Sequence, residues 1–321
     1  MRRVVCSAVG PLEGLSVVEG EPPVPGEGQV QVDVRAAGVN FVDALFVQGL
    51  YQIKPPTPFT PGSEVAGEVA AVGPGVEGLA VGDRVLAQCG LGGYAEQVVA
   101  HAGAVLPLPA SLSYEQGAAL VQSYATMLYA LTLRTTVAPG ETALVLGAGG
   151  GIGLAAVDVG RALGLRTIAA ASTPEKREAA RTAGAEWTLD TTADDVKLRA
   201  RELAGGGVDV VVDPVGGPLA EPALRALRTG GRYLVIGFAS GEIPRLPANQ
   251  VLLNNRTVVG VDWGAWTLQE PEAGRALLAR LLAMADDLRP ARPATYPLDR
   301  AAEALADLVG RRATGKLVLV P

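Results

Sequence analysis

The first hundred residues alternate short Val-rich apolar runs, at 30–34, 65–72, 84–88 and 95–99, with turn residues such as GEG, GPGV and VGD. Runs of this length bounded by Gly, Pro and Asp predict strands and, together, a small, mostly β domain. The segment KPPTPFTPG at 54–62 predicts a loop, since each proline removes a donor and fixes one torsion. From residue 141 the pattern changes. Near-continuous apolar runs (TALVLGA, RTIAAAS, WTLD, VDVVVDP, GRYLVIG, TVVGVDW) alternate with helix-length segments at 152–163, 175–182, 195–203 and 219–228. Strands that are apolar on both faces and separated by helices predict a parallel sheet covered on both sides, so the fold class is α/β with a doubly wound sheet. Helices are expected around 276–284 and 301–309, and a closing strand KLVLV is expected to rejoin the first domain. The domain division this predicts is 1–122 with 260–321 for the mostly β part and 123–259 for the doubly wound part.

Composition narrows the function classes. The chain has 321 residues, 49% of them apolar and 19% charged, enough apolar surface for two cores and too much for a disordered chain. Its net charge of −6, with no basic run, argues against a nucleic-acid partner, which would need clustered Lys and Arg against phosphates. Cys6 and Cys89 are too few for a disulfide framework or a four-thiolate zinc site, which fits a reducing compartment and a cytoplasmic location. The opening MRRVVCSAVGPLEG lacks the apolar core of a signal peptide. Residues 116–133 are uncharged and long enough to invite a membrane reading. They carry Gln122, Ser123, Tyr124 and Thr126, however, and are read as a helix buried between domains.

The most informative chemistry lies in LVLGAGGGIGLAAVDVGRALG. Ala148, Gly149, Gly150, Gly151, Ile152 and Gly153 join an apolar strand to a helix whose Ile152, Ala155, Ala156, Val159 and Leu163 share one face, with Asp158 and Arg161 on the other. Glycine is needed in such a turn because backbone N–H groups must approach a pyrophosphate at the positive end of a helix. In the favoured register Ala148 replaces the first glycine, followed by Gly150 and Gly153. Beyond the second strand stand Ser172 and Thr173, with Lys176 and Arg177 nearby, in place of the carboxylate that would bind the ribose hydroxyls of NAD. This favours NADPH. Thr173 also suits a helix N-cap and Pro174 a first helical position.

With this turn in place, the whole chain resembles the zinc-independent quinone oxidoreductases, the zeta-crystallin type, of the medium-chain dehydrogenase/reductase superfamily. The segments that carry the resemblance are GVNFVDALFVQGLY at 38–51, PGSEVAGEVAAVGPGV at 61–76, VGDRV at 81–85, GGYAEQVV at 92–99, the AGGGIG turn, GVDWGAW at 260–266 and TGKLVL at 314–319. The resemblance implies a Rossmann sheet plus a GroES-like domain. It also implies a soluble homodimer paired through the last nucleotide-domain strand, and NADPH-driven reduction of a small-molecule quinone. Zinc-dependent relatives place metal ligands where this chain has Asn40 and Ser63, and the only histidine, His101, lies elsewhere, so no metal is expected.

By the same resemblance Asn40 and Thr126 contact the nicotinamide ribose or carboxamide, Asp43 joins that polar cluster, and Tyr51 lines the substrate pocket as a hydrogen-bond or proton donor. Asp43 could equally hold the NFVD turn, and Tyr51 could pack against the proline-rich loop. Ser172, Lys176 and Arg312 are implied around the 2′-phosphate, and Gly237 and Phe238 beside the nicotinamide. Two departures from the family pattern are Thr191, where a tyrosine is common, and Leu45, where an aromatic is common. The alternatives are reduction of an activated carbon–carbon double bond by the same residues, or a non-enzymatic NADPH-binding protein with a structural or RNA-binding role.

Overall fold

The structure, a computed structural model, describes residues 1–321. Along the chain come β1 (Arg2–Cys6), β2 (Leu15–Glu19), β3 (Gln29–Val39), α1 (Phe41–Gln48), β4 (Glu64–Val72), β5 (Arg84–Gln88), β6 (Gln97–His101), β7 (Val105–Pro107) and α2 (Tyr114–Tyr129). The alternating part follows: β8 (Thr142–Leu146), α3 (Gly151–Ala162), β9 (Arg166–Ala171), α4 (Pro174–Thr182), β10 (Trp187–Asp190), α5 (Val196–Leu203), β11 (Val208–Asp213), α6 (Ala220–Ala226), β12 (Leu227–Val235), α7 (Ala248–Leu252) and β13 (Thr257–Gly260). The chain ends with α8 (Trp263–Gln269), α9 (Pro271–Ala283), β14 (Ala294–Pro297), α10 (Ala301–Val309) and β15 (Leu317–Val320).

Two compact units result: Met1–Gln122 with Arg292–Pro321, and Ser123–Ala291. The first is built on a seven-stranded sheet in which β14, β15, β3, β4, β5 and β7 are neighbours in that order, with β6 paired to β3. β3 is long enough for one edge to serve two partners, β6 along residues 29–33 and β15 along 37–39. Its alternating inward residues Val30, Val32 and Val34 join Val65, Val85, Val98 and Leu319 in the core. The second unit carries six parallel strands in the order β10-β9-β8-β11-β12-β13, the doubly wound arrangement the sequence predicts. Its central strand β8 is buried at every position, as a sheet covered on both faces requires.

The expected division at residue 260 is corrected: the chain returns to the first unit at Arg292. α8 and α9 belong with the parallel sheet because specific contacts hold them there. Trp266 of α8 stacks on Tyr129 with centroids 4.5 Å apart. Past α9, Arg289 donates its N–H to Asp158 of α3 at 2.7 Å, and Arg161 donates to the carbonyl of Asp287. These contacts cover the polar face of α3. Asp158 is fully buried, paired with Arg161 at 2.7 Å and accepting the Tyr124 hydroxyl at 3.1 Å. Residues 116–133 form most of α2 followed by a π turn over Ala130–Arg134, and no helix is long and apolar enough to cross a membrane.

Candidate active site

In the first unit a buried polar cluster forms where β3 runs into α1. Asn40 is the N-cap of α1, in extended backbone conformation, and Asp43 at the third helical position reaches back to accept the Asn40 N–H at 2.8 Å. The same Asp43 oxygen, Oδ2, accepts the hydroxyl of Tyr94 at 2.8 Å. Its other oxygen, Oδ1, is buried with no hydrogen-bond partner. Burial pushes the Asp43 carboxyl up to about 7, against the lowering effects of the Asn40 N–H, the Tyr94 hydroxyl and the Lys316 charge. Burial and the neighbouring Asp43 charge push the Cys89 thiol up to about 12, so this cysteine is a poor nucleophile at neutral pH.

The Asn40 carboxamide sits between two opposite charges. Its Nδ2 donates to Glu64 Oε1 at 2.9 Å and lies 3.5 Å from Ser63 Oγ, while its Oδ1 accepts from Lys316 Nζ. Lys316 also pairs with Glu64 Oε1 at 2.7 Å, with side-chain exposures of 10% and 1%. Glu64 Oε2 accepts the N–H of Gln122 from α2 at 2.8 Å. The close approach of α2 depends on Gly38, where a Cβ would come within 2.2 Å of the Ala118 carbonyl and 2.4 Å of Glu64. Sequence reasoning singles out Asn40 and Asp43 but misses Glu64, Tyr94 and Lys316. Each lies in a quoted motif, and for Glu64 and Lys316 the available signal was a charge at the start of an otherwise apolar run, as in SEVAGEV and GKLVLV. Tyr51 lies past the end of α1 and is half-buried, its ring edge-on to Phe46 with centroids 4.9 Å apart.

The second unit holds the glycine turn, between β8 and α3. Gly147 has φ +58°, and a Cβ there would meet Val215 at 2.7 Å. A Cβ on Gly149 would come within 2.4 Å of Lys176 Cβ, and one on Gly153 within 2.3 Å of the Gly147 carbonyl oxygen. Gly150, the N-cap of α3, differs: its Cβ would meet only the Gly147 oxygen, at an ordinary 3.5 Å. Packing therefore demands glycine at 147, 149 and 153, whereas at 150 the space beside the helix N-terminus is left open by the protein itself. An exposed helix start without a side chain is what a pyrophosphate requires, so these residues fit a dinucleotide. Ala148 is buried, its N–H donating to Ala170 O at 3.0 Å, and Gly151 and Ile152 begin the helix.

At the end of β9, Ser172 is exposed and Thr173 caps α4, its hydroxyl accepting the Lys176 N–H at 3.3 Å. The Lys176 stem lies over Gly149, bringing it to the glycine turn. Arg177, grouped with Lys176 by sequence, is committed to Asp190 at 2.9 Å and to the Ala171 carbonyl at 3.1 Å. Gly237 and the partly exposed Phe238 follow β12. Thr126 is buried in α2. Arg312 belongs to the first unit, where it is largely exposed and paired with Asp307 at 2.7 Å. His101 is exposed at the end of β6.

Three sets of findings place the chain among known proteins. Residues 26–110 match the family described as Alcohol dehydrogenase GroES-like domain and 151–281 that described as Zinc-binding dehydrogenase. The chain is 38% identical to the quinone oxidoreductase-like protein 2 homolog of Nematostella vectensis, over 99% of this chain and 88% of that protein. It is 34% identical to human quinone oxidoreductase, over 93% and 91%. The crystal structure of Escherichia coli quinone oxidoreductase complexed with NADPH matches all of both chains with a TM-score of 0.90 at 31% identity. The two units thus define a medium-chain dehydrogenase/reductase, with a GroES-like part and a Rossmann part. Within that superfamily the chain belongs to the quinone oxidoreductase family.

One matching family carries zinc in its description, and the residues here do not fit that ion. No group of three or more His, Cys, Asp and Glu side chains could hold a metal. Asn40 and Ser63 offer an amide and a hydroxyl where softer donors are needed, and the Lys316 ammonium already lies against both Asn40 and Glu64.

Proposed function

We propose that this protein is an NADPH-dependent, metal-free oxidoreductase that delivers hydride from the nicotinamide to a quinone. The observation that carries the reading is the glycine turn, closed by packing at Gly149 and Gly153 and open at Gly150 beside the α3 N-terminus. The NADPH complex of the Escherichia coli relative supports the choice of cofactor. In this reading the backbone from Ala148 through Gly153 holds the pyrophosphate. Ser172, Lys176 and Arg312 bind the 2′-phosphate, Lys176 as a point charge and Arg312 as a planar donor. Gly237, Phe238, Thr126 and Asn40 orient the nicotinamide half. When bound, NADPH supplies the hydride, so the chain's task is orientation and exclusion of water rather than Lewis-acid activation.

Asp43 is fully buried and bonded to the Asn40 backbone, so it acts as a positioning residue that keeps Asn40 at the head of α1. The Tyr51 hydroxyl is assigned as the group that donates a proton or hydrogen bond to the reduced acceptor. The chain is further assigned to the cytoplasm, a reading supported by two unpaired thiols, and to a homodimer. Support for the dimer comes from β13, an edge of the six-stranded sheet whose Val258 is partly exposed.

The test is to follow nicotinamide absorbance on mixing the protein with NADPH or NADH and 1,4-benzoquinone, with chelator throughout. Saturable NADPH oxidation above the uncatalysed rate, unaffected by chelator and faster than with NADH, is expected. NADPH binding without turnover of quinones overturns the acceptor assignment and points to enones. A rate lost to chelator and restored by zinc overturns the metal-free assignment, and no NADPH binding overturns the whole reading.

A further inference from the structure

The triangle of Asn40, Glu64 and Lys316 has a consequence for the site that goes beyond holding β3, β4 and β15 together. An asparagine carboxamide is nearly symmetric in shape, and only its partners decide which end is oxygen and which is nitrogen. Here the partners are as unlike as protein groups can be. An ammonium only donates, and it faces Oδ1; a carboxylate only accepts, and it faces Nδ2. Turning the amide over would set donor against donor at Lys316 and acceptor against acceptor at Glu64, both nearly or fully buried. The Lys316–Glu64 pair is itself compensated, each charge meeting the other at 2.7 Å.

We infer that Lys316 is the positioning residue of Asn40: from just before the last strand of the chain it fixes the polarity of the carboxamide at the mouth of α1. Resting on the proposed function, this makes Lys316 and Glu64 determinants of how the nicotinamide half of the cofactor is held, although neither need touch it. The two residues come from sequence positions 252 apart, so only the return of β15 to the sheet brings them together.

Removing Lys316 alone leaves Glu64 buried without its counter-charge and can cost the fold. The informative variant is therefore the double change Lys316→Met with Glu64→Gln, which removes both charges, alongside Lys316→Arg, which keeps donor character. The first readout needs no cofactor: the side-chain amide signal of Asn40 in protein labelled with ¹⁵N at asparagine, with its rate of hydrogen exchange. The wild-type signal should be protected from exchange. The double variant should keep its circular dichroism spectrum while that signal shifts and exchanges faster, and Lys316→Arg should retain protection. The second readout is NADPH affinity and steady-state kinetics. The double variant should bind NADPH about tenfold more weakly, the effect of one neutral hydrogen bond lost, with the KM for quinone little changed.

An Asn40 amide signal that is unchanged in the folded double variant overturns the inference. So does a shifted signal with unaltered NADPH affinity, because the polarity of Asn40 then has no bearing on the cofactor. If the wild-type protein fails to bind NADPH, the functional reading falls by itself, and the amide signal still decides whether Lys316 orients Asn40.

Discussion

A fully buried carboxyl is costly to ionise, and at Asp43 the cost has a definite direction in pH. The unfolded chain releases this proton near pH 4, whereas the folded protein holds it up to about 7. Between these values the native state binds more protons than the unfolded one, so the Asp43 contribution to stability falls as pH rises from about 4 to about 7 and is constant above. The span amounts to roughly 4 kcal/mol. Asp43→Asn, which mimics the protonated acid, should gain on the wild type across this window, and urea denaturation at pH 5 and pH 8 checks it. A stability gap between the two proteins that does not widen with pH would contradict the assignment. The glycine turn yields a second residue-level test. Gly153→Ala drives a Cβ into the Gly147 carbonyl and should cost about 1–3 kcal/mol. Gly150→Ala meets only an ordinary contact and should leave the melting temperature almost unchanged, yet weaken NADPH binding at least as much. Equal loss of stability in both would refute the division between packing glycines and ligand-facing glycine.

At the scale of elements, the ends of β11 and β12 are tied together by one carboxylate. Asp213 Oδ1 accepts the N–H groups of Val215 and Gly216, both at 2.8 Å, and Oδ2 accepts the Tyr233 hydroxyl. The Asp213 carbonyl accepts from Ile236 at 2.9 Å, and the two following loops interlock through Ala239 N–H to Pro214 O and Ser240 N–H to Val215 O. Gly237 and Phe238 are thus held by a knot anchored in the sheet. Asp213→Ala should speed hydrogen exchange at Ala239 and Ser240 and weaken NADPH binding, while Asp213→Asn, whose amide oxygen still accepts both N–H groups, should do so far less. Tyr233→Phe should cost about 1–3 kcal/mol, since a buried carboxylate oxygen loses a partner. The strands and helices themselves were legible from periodicity: α10 and β11 fall where the pattern puts them. Elements with weak patterns were not, among them β1, β2, β7, α7 and β14, because short strands and single turns owe their form to neighbours rather than to their own residues.

At the scale of the whole molecule, the proposed homodimer rests on the edge strand β13. Val258 is partly exposed there, and Val258→Lys should yield a monomer on sizing chromatography, whereas an unchanged dimer would reject pairing through this strand. What the sequence by itself determined is what repeats locally: the β-rich and alternating halves, the six parallel strands, and the glycine turn with its cap and helix. Asn40 and Asp43 were pointed to by the family resemblance rather than by periodicity, and they meet through the first turn of α1. Tertiary structure alone decided the rest. Asp158 became buried because Tyr124 and the loop after α9 pack against it, and that loop stays with the parallel-sheet unit, whose boundary lies at Arg292. Glu64, Tyr94 and Lys316 joined Asn40 and Asp43 because β4, the β5–β6 connection and β15 converge on the end of β3. Periodicity reports which face of an element is apolar over a few residues, but a charge buried by a strand arriving from the far end of the chain is paired only after that strand has docked.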